Sequence, residues 1–383
     1  MVQNRRWFHQ HPEVAFKEVN TAAKVVELLK AIGIEEIYTQ IGVTGVVAMI
    51  DGEAGEGPCI ALRADMDALS VLETADVEYR SQNPGFMHAC GHDGHMAALL
   101  GAAKIIFTER KKLKGRIKLI FQPAEEGHNG ASAMIKDSVL EEGKCGPRVD
   151  AIYGIHLWSH GKLGEVQCSE GPVMAASDRF DICVKGKGGH GAMPAGTVDA
   201  IVEAAHLVTA LQTVVSRNKD PMTTGVVTVG QISGGYGYNI IADEVKLTGT
   251  TRSFTTETQE LIKSRMESIC CGVAATFGGS IDMQYKYGYP PTVNAYPECF
   301  KVVTTAAAKI VGPERAALPQ RTMGAEDFSF FLQQRPGCFF FVGAAHPGEV
   351  RPHHKSVFDF DERALMVSAS AFVHIIRDLL GSK

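Results

Sequence analysis

Residues 87–95 read MHACGHDGH and crowd His88, Cys90, His92, Asp93 and His95 into one short stretch. Cys90 and His92 are two positions apart, and residues i and i+2 of an extended turn point the same way. One divalent cation can take both a thiolate and an imidazole from such a pair. Gly91 between them lets the backbone bend tightly. A plainer reading is also open: Cys90 as a small buried hydrophobe, with His92 capping the long helix that follows. The flanking His88, Asp93 and His95 weigh toward the metal. Asp93 is placed either to orient a ligand histidine or to cap that helix.

Other segments carry groups of the same chemistry. In PAEEG, Glu125 and Glu126 are adjacent carboxylates that repel unless a cation is near. Neighbouring side chains diverge, which suits one ligand and one general base; a solvated surface pair is the alternative. His156 stands in the apolar run YGIHLW, as a ligand or as a satisfied core histidine. Asp65 and Asp67 in RADMDAL share one face, or form a strand-end turn paired with Arg63. RPHHKSVFDFDE offers His353 and His354, GGHGAMP places His190 in a glycine-rich loop, and MGAEDFSFF holds Glu326 and the capping candidate Asp327.

The elements that must position these groups alternate. TGVVAMI, PCIALRAD, RIKLIFQP and VDAIYGIHLW are short apolar, β-branched runs, interleaved with helical patterns such as HMAALLGAAKIIFTERKKL. That order predicts an α/β fold with a mainly parallel sheet covered on both faces. The stretch HPEVAFKEVNTAAKVVELLKAIGI reads as one amphipathic helix ending at Gly33. RADMDAL and PAEEG follow predicted strands and GIHLW ends one, and sites in open α/β sheets form beyond the carboxyl ends of strands.

The middle of the chain differs. RFDICVKG alternates like a half-solvated strand. TVDAIVEAAHLVTALQTVVSRN reads as a helix capped by Thr197. Two strands, a second helix and a last strand follow. The order β-α-β-β-α-β over about residues 175–288 fits a split βαβ sandwich inserted into the larger domain. The expected organisation is therefore 1–174 and 289–383 as one domain, with 175–288 as the insertion.

Composition sets bounds. The 383 residues are 45% hydrophobic and 21% charged, an ordinary globular mix long enough for two domains. A net charge of -5 without a polybasic block argues against nucleic acid or an anionic membrane as partner. No apolar run approaches the ~20 residues that span a bilayer, and no secretory signal is legible. Nine scattered cysteines without paired CxxC knuckles read as reduced thiols of a cytoplasmic protein.

Taken in order, RADMDAL, MHACGHDGH, FQPAEEG, YGIHLW, GGHGAMP, GYNIIADE and HHKSVFDFDE resemble the metal-dependent amidohydrolases related to hippurate hydrolase, N-acyl-amino-acid amidohydrolases and auxin-conjugate hydrolases. The likeness runs along essentially the whole chain. It implies a zinc-peptidase-like catalytic domain with an inserted α+β lid and dimerisation domain, and a homodimer. By the same resemblance Cys90, His92, Glu126, His156 and His354 bind two divalent ions, and Glu125 is the general base. His354 is taken over His353 because it lies four residues before an aromatic. His190 would support the negative charge of the reaction, and Asn239 and Arg252 would hold the substrate's amide and carboxylate. Ser70 and Ala242 depart from the family pattern, which has proline at both positions.

The implied reaction is hydrolysis of the amide bond of N-acyl amino acids or amino-acid conjugates. Bound metal lowers the pKa of water toward ~7, and Glu125 takes the proton and passes it to the leaving nitrogen. A thiolate ligand favours zinc, cobalt or nickel over magnesium, and the family is also associated with manganese. Three readings compete. One is a dipeptidase or carboxypeptidase on the same fold. Another is a non-catalytic metal-binding or thiol-sensing protein. The third makes Cys90 a nucleophile, which the sequence opposes because it shows no distant base paired with it.

Overall fold

The computed structural model describes residues 1–381. The chain divides into two compact units. The first holds residues 1–173, 293–321 and those from Asp327 onward; the second holds Met174–Thr292 and Thr322–Glu326.

The first unit is built on a seven-stranded sheet. Its strands are β1 (Ile37–Ile41), β2 (Gly45–Asp51), β3 (Cys59–Asp65), β4 (Arg116–Gln122), β5 (Ala151–Lys162), β6 (Val166–Gln167) and the strand Gly337–Ala345. The order across the sheet is β1, β2, β4, β3, β5, Gly337–Ala345, β6. The four central strands run parallel, and the edges are antiparallel. Every residue of β3 is buried, as expected of a strand covered on both faces. Ile60, Leu62 and Ala64 of β3 and Ile117, Leu119 and Phe121 of β4 join one core with the helices α1 (Val2–Gln10), α2 (Val19–Ile32) and α3 (His92–Glu109) and with the helices Pro297–Val311 and Ala364–Leu380. The period of two sends the intervening Arg63 and Lys118 to the opposite side. Both are fully buried, and Lys118 Nζ donates to the carbonyls of Val139 (2.9 Å) and Pro147 (2.7 Å).

The helix expected from His11 to Gly33 starts only at Val19. Phe16 has φ +58°, and Val14 bridges Ala68, so the preceding residues form a turn. The carboxylate of Glu13 reaches over this turn and accepts from the backbone N–H of Asn20 (3.2 Å) and of Thr21 (2.8 Å), capping the true helix start. Gly33 ends the helix as expected, with φ +103°.

Arg5 of α1 is wholly buried and ties distant segments together. It donates to Asp93 (2.8 Å) and Asp359 (2.7 Å), and its guanidinium lies over the rings of Tyr79 and Phe360. Asp93 also receives His9 Nδ1 at 2.8 Å. Neither role read for Asp93 from the sequence is what the structure shows. It orients no candidate ligand histidine and caps no helix, because the N-cap of α3 is Gly91.

The second unit has a four-stranded antiparallel sheet in the order Gly225–Gly234, Glu244–Ser253, Ala176–Lys185, Ser280–Tyr289. The helices Ala200–Thr213 and Thr256–Phe277 complete the β-α-β-β-α-β order. Phe180, Ile182, Val184 and Leu247 pack with Leu207, Leu211, Ile262 and Met266 of the helices. The first of these helices is capped by Asp199, which accepts from the N–H of Ile201 and Val202, and not by Thr197. The helix begins at Ala200, out of Thr197's reach, and the Thr197 hydroxyl instead donates to Pro194 O at 2.7 Å. Thr322–Glu326 joins this unit beside Met174 and Ala175, through a bridge from Met174 to Thr322 and the Ala175 N–H to Gly324 O bond (2.9 Å).

Replacing Arg5 with methionine leaves Asp93 and Asp359 as buried carboxylates without their cation. The expected loss is about 3–5 kcal/mol, read as a lower urea midpoint.

Candidate metal centre

All five side chains expected to hold metal lie in the first unit and converge. Two loops at the carboxyl ends of β3 and β4, the start of α3 and the middle of β5 supply four of them. His156 is not at a strand end, since β5 continues to Lys162. His354 arrives on the segment before the last helix, in the left-handed conformation (φ +61°) and with its N–H bonded to Ala89 O at 2.8 Å. Gly91, at φ +94°, makes the turn between Cys90 and α3, a conformation costly for other residues. At Gly94 a Cβ would meet Leu157 Cδ1 at 2.4 Å, so glycine alone lets the helix start lie this close to β5.

The donor atoms of Cys90, His92 and His156 lie within 4.8 Å of one another, and so do those of Cys90, Glu126 and His354. Cys90 belongs to both groups. Cys90 Sγ is 3.4 Å from His156 Nε2, and His354 Nε2 is 3.2 Å from Glu126 Oε1. Zinc–sulfur and zinc–nitrogen bonds at a tetrahedral angle put two ligand atoms about 3.5 Å apart. The observed separations match the spacing of ligands on a shared cation.

The second ring nitrogens sharpen this. His92 Nδ1 is held by the Asp67 carbonyl at 2.8 Å, and its buried Nε2 has no hydrogen-bond partner among the described residues. His156 Nδ1 is held by the Leu157 carbonyl at 2.7 Å, which turns Nε2 toward Cys90. Fixing one nitrogen and aiming the other is how ligand histidines are oriented. His95 is different: its Nδ1 meets Asp65 at 2.6 Å, and its Nε2 accepts the Leu157 N–H at 2.9 Å. No lone pair is left for a cation, so His95 is a support. His353 likewise spends Nε2 on the Ser159 N–H at 3.1 Å, whereas His354 Nε2 faces Glu126.

Asp65 and Asp67 organise this region, a role the sequence did not single out for them. Arg63, fully buried, donates to Asp65 (2.8 Å), to Gln122 (2.8 Å) and to Asp327 (3.2 Å). Asp67 Oδ2 accepts the Glu126 N–H at 2.9 Å. Asp327 does not cap the helix Phe328–Gln334 that follows it; its side chain takes Gln122 Nε2 (2.7 Å) and the Ala131 N–H (2.9 Å) in the first turn of the helix Gly130–Lys136, while its own N–H reaches Glu125 Oε1 at 3.4 Å. Only the RADMDAL spacing signalled Asp65 and Asp67.

Charge favours a cation here. Burial and the carboxylates of Glu126, Glu125 and Asp65 push the Cys90 thiol well above its ordinary range. Against the cost of burial, Asp65 and Asp67 hold His92 up to about 10. Burial and the neighbouring His95 and His353 push His156 well down. A divalent ion would relieve the crowded carboxylates, displace the protons of the thiol and of His92 and use the imidazole lone pairs, so this donor set fits metal. The structure also corrects one expectation: Cys90 does have a distant base beside it, His156. The pair is still unsuited to nucleophilic catalysis, which needs a lowered thiol pKa.

In the second unit, the residue after Asn239 pairs with His190 in a short ladder, Ile240 opposite His190. Both are exposed. His190 Nδ1 accepts the Ala192 N–H at 3.1 Å, which leaves Nε2–H as its free donor. Arg252 lies on another strand, half-buried, bonded to the Thr250 hydroxyl and to Thr251 O. Ala242 is buried and its carbonyl accepts from Ala200, whereas Ser70 is exposed.

Residues 61–378 match the model of peptidase family M20/M25/M40. An N-acetyl-L-cysteine deacetylase of Bacillus subtilis is 40% identical over 370 residues, covering 97% of this chain and 85% of its own length. The IAA-amino acid hydrolase ILR1-like 4 of Arabidopsis thaliana is 39% identical over 378 residues, covering 97% and 83%. The crystal structure of the Bacillus subtilis YXEP protein, described as a dinuclear metal-binding peptidase of the M20 family, superposes with a TM-score of 0.85 at 32% identity over 99% of this chain and 97% of its own.

Changing His95 to alanine leaves the Asp65 carboxylate and the Leu157 N–H without this partner. The metal-free protein is expected to lose about 2–4 kcal/mol in urea unfolding. A cost below about 0.5 kcal/mol would contradict the supporting role.

Proposed function

We propose that this chain, which belongs to peptidase family M20/M25/M40 and is a hydrolase, cleaves the amide bond of N-acyl amino acids to a carboxylic acid and a free amino acid. The observation that carries the reading is the meeting of Cys90, His92, Glu126, His156 and His354, with the sulfur common to two donor groups. These residues would hold two divalent ions, drawn from manganese, zinc, cobalt or nickel. When bound, the ions supply Lewis acidity toward the amide carbonyl and toward water.

The remaining work falls to the protein. Glu125 is 5% exposed, adjacent to the ligand Glu126, and within 4.8 Å of both His92 and Glu126 donor atoms. It would take the proton of the attacking water and return it to the leaving nitrogen. His190, with Nε2–H free, would donate to the oxygen that gains negative charge. Arg252 would grip the substrate carboxylate as a guanidinium can, and Asn239 its amide. The second unit would serve as lid and dimerisation domain, the protein acting as a cytoplasmic homodimer. No described helix is long and apolar enough to cross a membrane.

A second reading, a dipeptidase or carboxypeptidase, is favoured by the likeness to a structure described as a peptidase. It uses the same centre and differs in the acyl half of the substrate. The non-catalytic reading is set aside by family membership and by relatives named as hydrolases.

The test compares release of amino acid from a panel of N-acyl amino acids and dipeptides, with each of the four metals added to chelated protein. Glu125→Gln is expected to keep its metal content and lose turnover by about 10²–10⁴-fold. Cys90→Ala should lose metal, as measured by elemental analysis. Turnover retained by Glu125→Gln, or by fully chelated protein, would overturn the assignment.

A further inference from the structure

The turn that carries Glu125 and Glu126 has an unusual backbone. Ala124 sits in the left-handed region (φ +55°, ψ +43°), Glu126 departs from helix (φ -71°, ψ +77°), Gly127 is at φ +79° and Asn129 at φ +59°. A run of sparsely populated conformations persists only where its surroundings over-determine it. Three carboxylates do so, each accepting a backbone N–H of this segment: Asp67 from Glu126, Asp327 from Ala131, and Glu18 from Ala124 at 2.9 Å.

Glu18 stands apart in that contact. It lies 106 residues from Ala124 in sequence and is fully buried. Its position just before α2 suggests a helix cap, but its side chain makes no cap bond and Glu13 fills that role. Its other oxygen accepts the Thr44 hydroxyl at 2.5 Å, which fixes the carboxyl from the far side. Burial pushes this carboxyl up to about 7. A group buried at that expense and aimed at the residue before the candidate base has a task other than starting a helix.

We propose that Glu18 is a positioning residue for Glu125: by holding the Ala124 amide, it keeps the turn in the conformation that presents the Glu125–Glu126 pair. This rests on Glu125 being the base. The test uses the full chain with Glu18→Gln and Glu18→Ala. The glutamine carbonyl still accepts from Ala124, and its amide can donate to the Thr44 oxygen, so kcat should stay within about twofold of the parent protein. Glu18→Ala should lower kcat about tenfold or more with KM and metal content unchanged, since small misplacement of a reacting group is costly. In the metal-free protein, hydrogen exchange should quicken in residues 122–131 of Glu18→Ala and stay at parent rates in β3 and β5.

The proposal is overturned by a folded Glu18→Ala variant with parent kcat, by Glu18→Gln falling as far as Glu18→Ala, or by faster exchange spread evenly over the first unit. If Glu18→Ala does not fold, Thr44→Val reads the same contact. Quicker exchange in 122–131 then supports the proposal and unchanged exchange overturns it. If the parent protein cleaves no amide, the functional reading fails by itself, and exchange alone decides whether Glu18 holds the turn.

Discussion

Everything at the candidate centre depends on metal-binding side chains being held together in a largely buried place, with His354 at its exposed edge. A cysteine sulfur, imidazole nitrogens and a carboxylate meet at 3.2–3.4 Å where measured pairwise. Left alone, such a cluster is unfavourable: lone pairs face one another, and the carboxylates of Glu125, Glu126 and Asp65 crowd a thiol. Protons relieve part of this in the metal-free protein, chiefly at His92. A divalent cation relieves it more completely, which is why metal affinity and protonation compete at such sites.

The scaffold counters the cluster's repulsion with fixed partners. The Asp67 and Leu157 carbonyls lock the rings of His92 and His156, and Asp65 with the Leu157 amide consumes both nitrogens of His95. The carboxylates are tied down in turn, Asp65 and Asp327 by the buried Arg63 and Asp93 by the buried Arg5. These three carboxylates therefore each have a counter-charge within hydrogen-bond reach, as buried ions require. Arg5 also joins the start of α3 to Asp359, so the segment bearing His354 is anchored to the helix beginning with His92.

The different settings of the two adjacent glutamates have a backbone origin. In a regular helix, Glu125 and Glu126 would simply point about a hundred degrees apart. Here the left-handed Ala124 and non-helical Glu126 place Glu125 inside, against the Asp327 amide, and Glu126 toward His354. Strain of this kind is maintained by external hydrogen bonds, and the carboxylates of Glu18, Asp67 and Asp327 provide them.

Sequence by itself determined the element types wherever one period dominated. The buried parallel strands, the β-α-β-β-α-β middle, the Gly33 helix stop and the grouping of chemistry-bearing motifs were all legible, because hydrophobic period and glycine act locally. Tertiary structure decided what depended on partners far along the chain. Whether the second helix began at His11 or Val19 turned on Glu13 folding over a turn at Phe16. Asp199 displaced Thr197 as a cap because the helix began later than its apolar pattern suggested. The three histidines of MHACGHDGH look alike in sequence, and only the Leu157 amide and the Asp67 carbonyl separate His95 from His92. Asp93 could not be told from an orienting carboxylate until Arg5 and His9 were seen to claim it. A candidate ligand differs from a support in which lone pair is left over, and that depends on groups the local sequence does not contain.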